Sequence, residues 1–119
     1  MVLSDEQIWN VKDYINDFLI ENFDTTLERL NSNRTKVNSY IRMGIYRILY
    51  YKFDLTYVDI GKIFDRHHTT VMHGVDSYIN LMKYDDFKNY FNKSNKLLNP
   101  QQLTLDESKH NNRQQLTVQ

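Results

Sequence analysis

The chain has 119 residues and no net formal charge, with 40% apolar residues, one proline, three glycines and no cysteine. That length holds one domain with a modest core plus a tail, and so few breakers favour long helices over a turn-rich β architecture. The lack of cysteine excludes disulfides and thiolate metal sites, and no apolar run approaches the roughly 18 residues of a membrane span.

Charge is uneven along the chain. Residues 1–33 carry seven acidic groups and two basic ones (net −5), residues 34–83 eight basic and four acidic (net +4), and residues 84–119 five basic and four acidic (net +1). The middle segment is therefore where an anionic partner would be met. The start, Met1-Val2-Leu3-Ser4-Asp5, lacks the basic and then apolar regions of a signal peptide, so a cytoplasmic location is expected.

Ser4 and Gln7 make a capping box ahead of Ile8, Val11, Ile15, Phe18 and Leu19, which predicts an amphipathic helix of about five turns. Asn22 to Thr25 interrupts it, Leu27 and Leu30 suggest a short helix, and Asn31-Ser32-Asn33 reads as a polar connection. A long helix is predicted from about Thr35 to Phe53, with Val37, Ile41, Ile45, Ile48 and Leu49 on its apolar face. Thr56 and Asp59 have capping-box spacing and start a short helix that turns Ile60, Ile63 and Phe64 inward.

Asp65 is the expected N-cap of the next helix, running to about Lys83 on the stripe Val71, Val75, Tyr78, Ile79 and Met82. Arg66, Thr69, Thr70 and His73 project opposite that stripe. A last amphipathic segment holds Phe87, Tyr90 and Phe91, and from Asn95 the Gln- and Asn-rich composition predicts a disordered polar tail. Gly61 and Gly74 point to close helix approach, and Tyr46, Tyr50, Tyr51 and Tyr57 read as core packing with a sticky surface.

A short helix, a tight turn and a longer polar-fronted helix form the pattern of a helix-turn-helix. Thr69 and Thr70 supply hydroxyls for a phosphate or base edge and methyls for a thymine methyl, and His73 reaches a flanking phosphate. The helix N-terminus adds N–H groups and a positive dipole end.

The run Ile60-Gly61-Lys62-Ile63-Phe64-Asp65-Arg66-His67-His68-Thr69-Thr70-Val71-Met72-His73 closely resembles the signature of the C-terminal DNA-binding domain (domain IV) of the bacterial replication initiator DnaA. The resemblance extends from about Leu27 to Met82. It implies that Arg34 enters the minor groove and Arg42 lies near the DNA backbone. It also implies that His68, Thr69 and Thr70 read the major groove and that His73 lies near a phosphate.

Three residues depart from that pattern. His67 stands where the family has a base-reading aspartate, Asp65 replaces a glycine in a turn one residue shorter, and Ile41 replaces a proline. His68 leaves two alternatives open: the helix starts at or after it and leaves it outside, or it is a packed core histidine.

The expectation is an all-α domain of five or six helices. It comprises an acidic helical segment over 1–33, a DnaA-like helix-turn-helix unit over 34–94 within the same compact body, and a tail over 95–119. Its expected partner is double-stranded DNA, met by Arg34, Lys36, Arg42, Lys62, Arg66, His67, His68, Thr69, Thr70 and His73. Replication control or transcription regulation is the expected role. A monomer is expected, without cofactor, because no heptad seam is visible.

No enzyme is expected, since neither a Gly-rich phosphate loop nor a nucleophile elbow occurs and the ATPase module of full-length initiators does not fit this length. His67, His68 and His73 lack the i,i+4 spacing of helical metal ligands, so no metal is expected. The alternative is a protein-interaction module or DNA mimic. Its acidic first helix, with Asp5, Glu6, Asp13, Asp17 and Glu21, would dock a replication protein through Trp9 and Tyr14.

Overall fold

Five of the helices begin with a side chain that takes up a backbone N–H, and two of these caps, Ser4 and Thr56, are the ones the sequence names. The computed structural model describes residues 2–103. Helix α1, Asp5–Phe23, opens with the full capping box: Gln7 N–H donates to Ser4 Oγ (3.2 Å) and Ser4 N–H to Gln7 Oε1 (2.9 Å). It stops at Asp24, whose left-handed φ of 51° turns the chain toward α2, Leu27–Ser32, capped by Thr26. Helix α3, Lys36–Tyr51, is capped by Thr35, and α4, Tyr57–Phe64, by Thr56. Then follow α5, His68–Asp76, α6, Tyr78–Leu81, α7, Asp85–Leu97, and one 3-10 turn, Pro100–Gln102. The fold is all-α; among the described residues there are seven α-helices and no strand.

The six predicted helical segments are all present, and the seventh helix comes from a break. The predicted helix through Lys83 divides at Ser77, whose hydroxyl donates to the His73 carbonyl at 2.8 Å and so competes with the backbone ladder. Beyond that break Tyr78 still faces inward, its ring edge-on to Phe87 and Phe91, but the predicted stripe is only partly kept. Ile79, expected on the apolar stripe, is 73% exposed, whereas Val71 and Val75 are buried. Val37 is also exposed, because it lies in the first turn of α3, ahead of the buried stretch that begins at Tyr40.

One core runs from Leu3 to Leu98, so the acidic segment and the basic segment share it. Helix α3 is the hub, packing against α2, α4, α5, α6 and α7, while α1 covers α2 and α4. Val11, Ile15 and Leu19 of α1 and Ile45, Ile48 and Leu49 of α3 are essentially without solvent contact. Each such side chain contributes roughly 1.5–3 kcal/mol of burial. The Tyr46 and Phe64 rings meet edge to face at 4.9 Å, which fixes α4 against α3.

The structure corrects three further expectations. Structure continues past Asn95: α7 reaches Leu97, Leu98 is fully buried, and Asn99 N–H donates to Tyr14 Oη at 2.9 Å. Leu98 supplies the apolar group that the Gln-rich composition concealed; the rest of the predicted tail, 104–119, lies outside the described residues. Tyr14 is therefore half-buried in packing this segment and is not an outward anchor. Thr56 caps α4 as predicted, but the Asp59 carboxylate does not complete its box; it is fully buried and accepts the Leu3 N–H at 3.1 Å. Among the described residues no helix is long and apolar enough to cross a membrane.

Candidate nucleic-acid interface

The α4–turn–α5 unit is set by two close approaches that need glycine. A Cβ on Gly61 would stand 2.4 Å from the Arg66 carbonyl oxygen, because the turn folds directly over it and Arg66 N–H donates back to Gly61 O at 2.8 Å. A Cβ on Gly74 would stand 2.7 Å from the Tyr46 ring, where α5 is pressed on α3. The demand foreseen at both glycines thus has its partners, a backbone carbonyl and an aromatic ring. With Val71 and Val75 also inward, α5 is held by one face.

The helix starts later than predicted. Asp65 is no N-cap; it terminates α4 in a left-handed conformation (φ 54°), which an aspartate tolerates where glycine is the usual choice. The N-cap is His67, whose Nδ1 accepts the Thr69 N–H at 3.2 Å. His68 is the first helical residue and is exposed, so of its two alternatives the structure takes the outward one. The His67 and His68 rings lie 4.3 Å apart between centroids. Thr69, Thr70 and His73 are exposed on the face opposite Val71 and Val75, and Asp76 shares that face at the far end. Because His67 takes up the Thr69 N–H and its carbonyl the Thr70 N–H, the helix start offers fewer open N–H groups than its sequence implied. Beside it lies an open depression of about 400 Å³ lined by Val58, Gly61, Lys62, Asp65, Arg66, His67 and His68.

The arginines divide into two kinds. Arg42 was expected near the DNA backbone and Arg66 on the outer face, but both guanidinium groups are turned to the end of α2. Arg42 Nη1 donates to Leu30 O at 2.6 Å and Nη2 to Ser39 Oγ at 3.3 Å; Arg66 Nη2 donates to Asn31 O at 2.7 Å. The last carbonyls of a helix lack partners inside it, and cations suit that negative dipole end. The same two charges face the Tyr46 phenol: burial raises its pKa, and Arg42 and Arg66 partly offset the rise. Arg34 follows three residues after Asn31, is exposed and makes no hydrogen bond to another described residue. Lys62 is exposed on α4. Lys36 stands apart at the head of α3, its ammonium 5.5 Å and 6.0 Å from the Tyr40 and Tyr84 ring centroids.

Sequence reasoning missed Arg47. Its guanidinium donates to Val75 O at 3.2 Å and lies 3.8 Å from the Tyr78 ring centroid and 4.6 Å from that of Tyr51. The Arg47–Tyr51 spacing on one helix was a legible signal; the contact with α5 was not. The tyrosine cluster is a partly open surface in which Tyr50 and Tyr57 stack at 4.3 Å, beside a depression of about 500 Å³ that Tyr51 and Asp54 also line. The Tyr57 phenol is pushed up to about 12, by burial first and then by the hydrogen bond and charge of Tyr50, with Asp76 and Tyr51 adding.

Comparison with protein-family models, with curated proteins and with solved structures returned no match to this chain.

Proposed function

We propose that the protein binds double-stranded DNA with sequence preference, α4 and α5 acting as a helix-turn-helix with α5 in the major groove and Arg34 in the adjacent minor groove. The observation that carries this reading is the outer face of α5. Thr69, Thr70 and His73 are short polar or imidazole groups, exposed, on a helix whose other face is locked by Val71, Val75 and the Gly74–Tyr46 contact. Groups of that size let backbone and base edges approach closely, and a rigid seat gives them one register. The surplus of basic groups over 34–83 and the DnaA-like motif support the same surface. On this reading the protein acts by binding and not by catalysis, as a monomer without a cofactor, in the control of replication or transcription inside the cell.

The test is selection of bound duplexes from a random pool. One preferred sequence should emerge, and Thr69→Ala should lower its advantage over unrelated DNA by about 1–3 kcal/mol. Arg34→Ala should flatten the dependence of log affinity on log salt by roughly 0.9. A pool that stays random defeats the proposal.

A second reading has its own observation. On α1, Trp9 is 62% and Ile20 55% exposed, on a face shared with Glu6, Asp13 and Asp17. That stripe suits a partner protein better than DNA. Binding through it should be insensitive to Thr69→Ala and lost in Trp9→Ala, read by isothermal titration against a candidate replication protein.

A further inference from the structure

The cap of α5 dictates which way the Thr69 hydroxyl points. His67 Nδ1 accepts the Thr69 N–H at 3.2 Å, so that nitrogen carries a lone pair and no hydrogen. The same nitrogen lies 2.8 Å from Thr69 Oγ1. Two such atoms at hydrogen-bonding distance need a hydrogen between them, and of the two only the hydroxyl has one to give. In the tautomer that suits this cap, with the ring proton on Nε2, the Thr69 hydroxyl donates to His67 Nδ1, which it shares with the Thr69 N–H, and its oxygen keeps accepting capacity on the exposed side. The His68 ring, 4.3 Å away and tilted 32°, packs against this arrangement.

A threonine whose hydroxyl rotates at will meets donors and acceptors alike, and so discriminates bases poorly. One whose hydrogen is already committed can only accept. We propose that His67 sets the polarity of base reading by Thr69: the pair selects a base presenting an exocyclic amino group in the major groove, adenine N6 or cytosine N4. It disfavours thymine O4 and guanine O6, where two acceptors would face each other. The inference rests on the duplex-binding reading and concerns how that surface discriminates. It gives His67, which stands at the family's aspartate position, a specificity role exercised through its neighbour.

Two measurements on the full chain test it. Nitrogen-15 spectra of the histidine rings in the free protein should show His67 unprotonated at Nδ1 and protonated at Nε2; the opposite tautomer overturns the proposal. In duplexes selected from a random pool, the position whose preference disappears in Thr69→Ala identifies the base that Thr69 meets. Adenine or cytosine should be favoured there on the order of tenfold. His67→Ala, with the hydroxyl released, should shrink that preference to about twofold or less. His67→Asn, whose Oδ1 keeps an acceptor at the helix start, should preserve it. Far-UV circular dichroism establishes that each variant is folded. A wild-type preference for thymine or guanine, or a preference unchanged in His67→Ala, overturns the inference. Should no duplex be selected although the tautomer is the expected one, the DNA reading fails and the base assignment with it. A wrong tautomer alongside a clear selected site removes this inference alone.

Discussion

At the scale of single residues, the glycines inside α4 and α5 make the strongest stability statement. Gly74→Ala places a methyl 2.7 Å from the Tyr46 ring, which is itself held edge-on against Phe64. Overpacking of this kind costs about 1–3 kcal/mol, more than the gain in helix propensity of about 1 kcal/mol. A urea titration of Gly74→Ala should therefore show a lower midpoint, and an unchanged or higher midpoint would mean that α5 can lift from α3. Gly61→Ala is expected to be worse, since the atom it meets is backbone and cannot rotate away. That these two glycines serve close approach was legible in the sequence. What they approach was not, because Tyr46 is 28 positions from Gly74 and nothing local links them.

Between elements, the junction of α2, α3 and the α4–α5 turn carries more than its size suggests. Arg42 from α3 and Arg66 from the turn both hold carbonyls of the last residues of α2, and Arg34 leaves from that same end. Arg66→Ala removes the link between the turn and the segment carrying Arg34. Its loss should speed amide hydrogen exchange over residues 31–36 in the free protein, and a charged hydrogen bond of this type is worth about 1.5–3 kcal/mol. Exchange there identical to wild type would show that the two segments are held together by other contacts. Arg42→Ala should likewise lower stability, because its guanidinium holds the Leu30 carbonyl. Helix positions followed from spacing and capping residues. The break at Ser77 did not, because a serine inside a periodic pattern declares neither which way its hydroxyl turns nor whether the helix bends there.

For the molecule as a whole, alkaline pH offers a test of packing. Burial raises the Tyr46 phenol, and Tyr57 is pushed up to about 12, so both rings favour the neutral form in the folded state. An unfolded chain releases these protons near pH 10, earlier than the folded one. The stability associated with Tyr57 is therefore complete below about pH 10 and is lost as pH rises from there through about 12. Unfolding by urea followed across that range should show a falling midpoint. Tyr57→Phe, which removes the Tyr57 phenol, should soften the decline, and an equally steep decline in that variant would place the cause elsewhere.

The sequence by itself determined the all-α class, the order of the helices, the caps at Ser4 and Thr56 and most of the inward-facing residues, because these depend on spacing and on side chains a few positions apart. It also determined which part of the chain is basic and that Thr69, Thr70 and His73 share one side. Tertiary structure decided what long-range contacts decide. Arg42 and Arg66 face protein carbonyls, Asp59 holds the chain at Leu3, Leu98 closes the core, and Arg47 joins α3 to α5. A charged side chain takes the nearest partner that burial leaves unsatisfied, and which partner is nearest is a property of the folded chain and not of its local pattern.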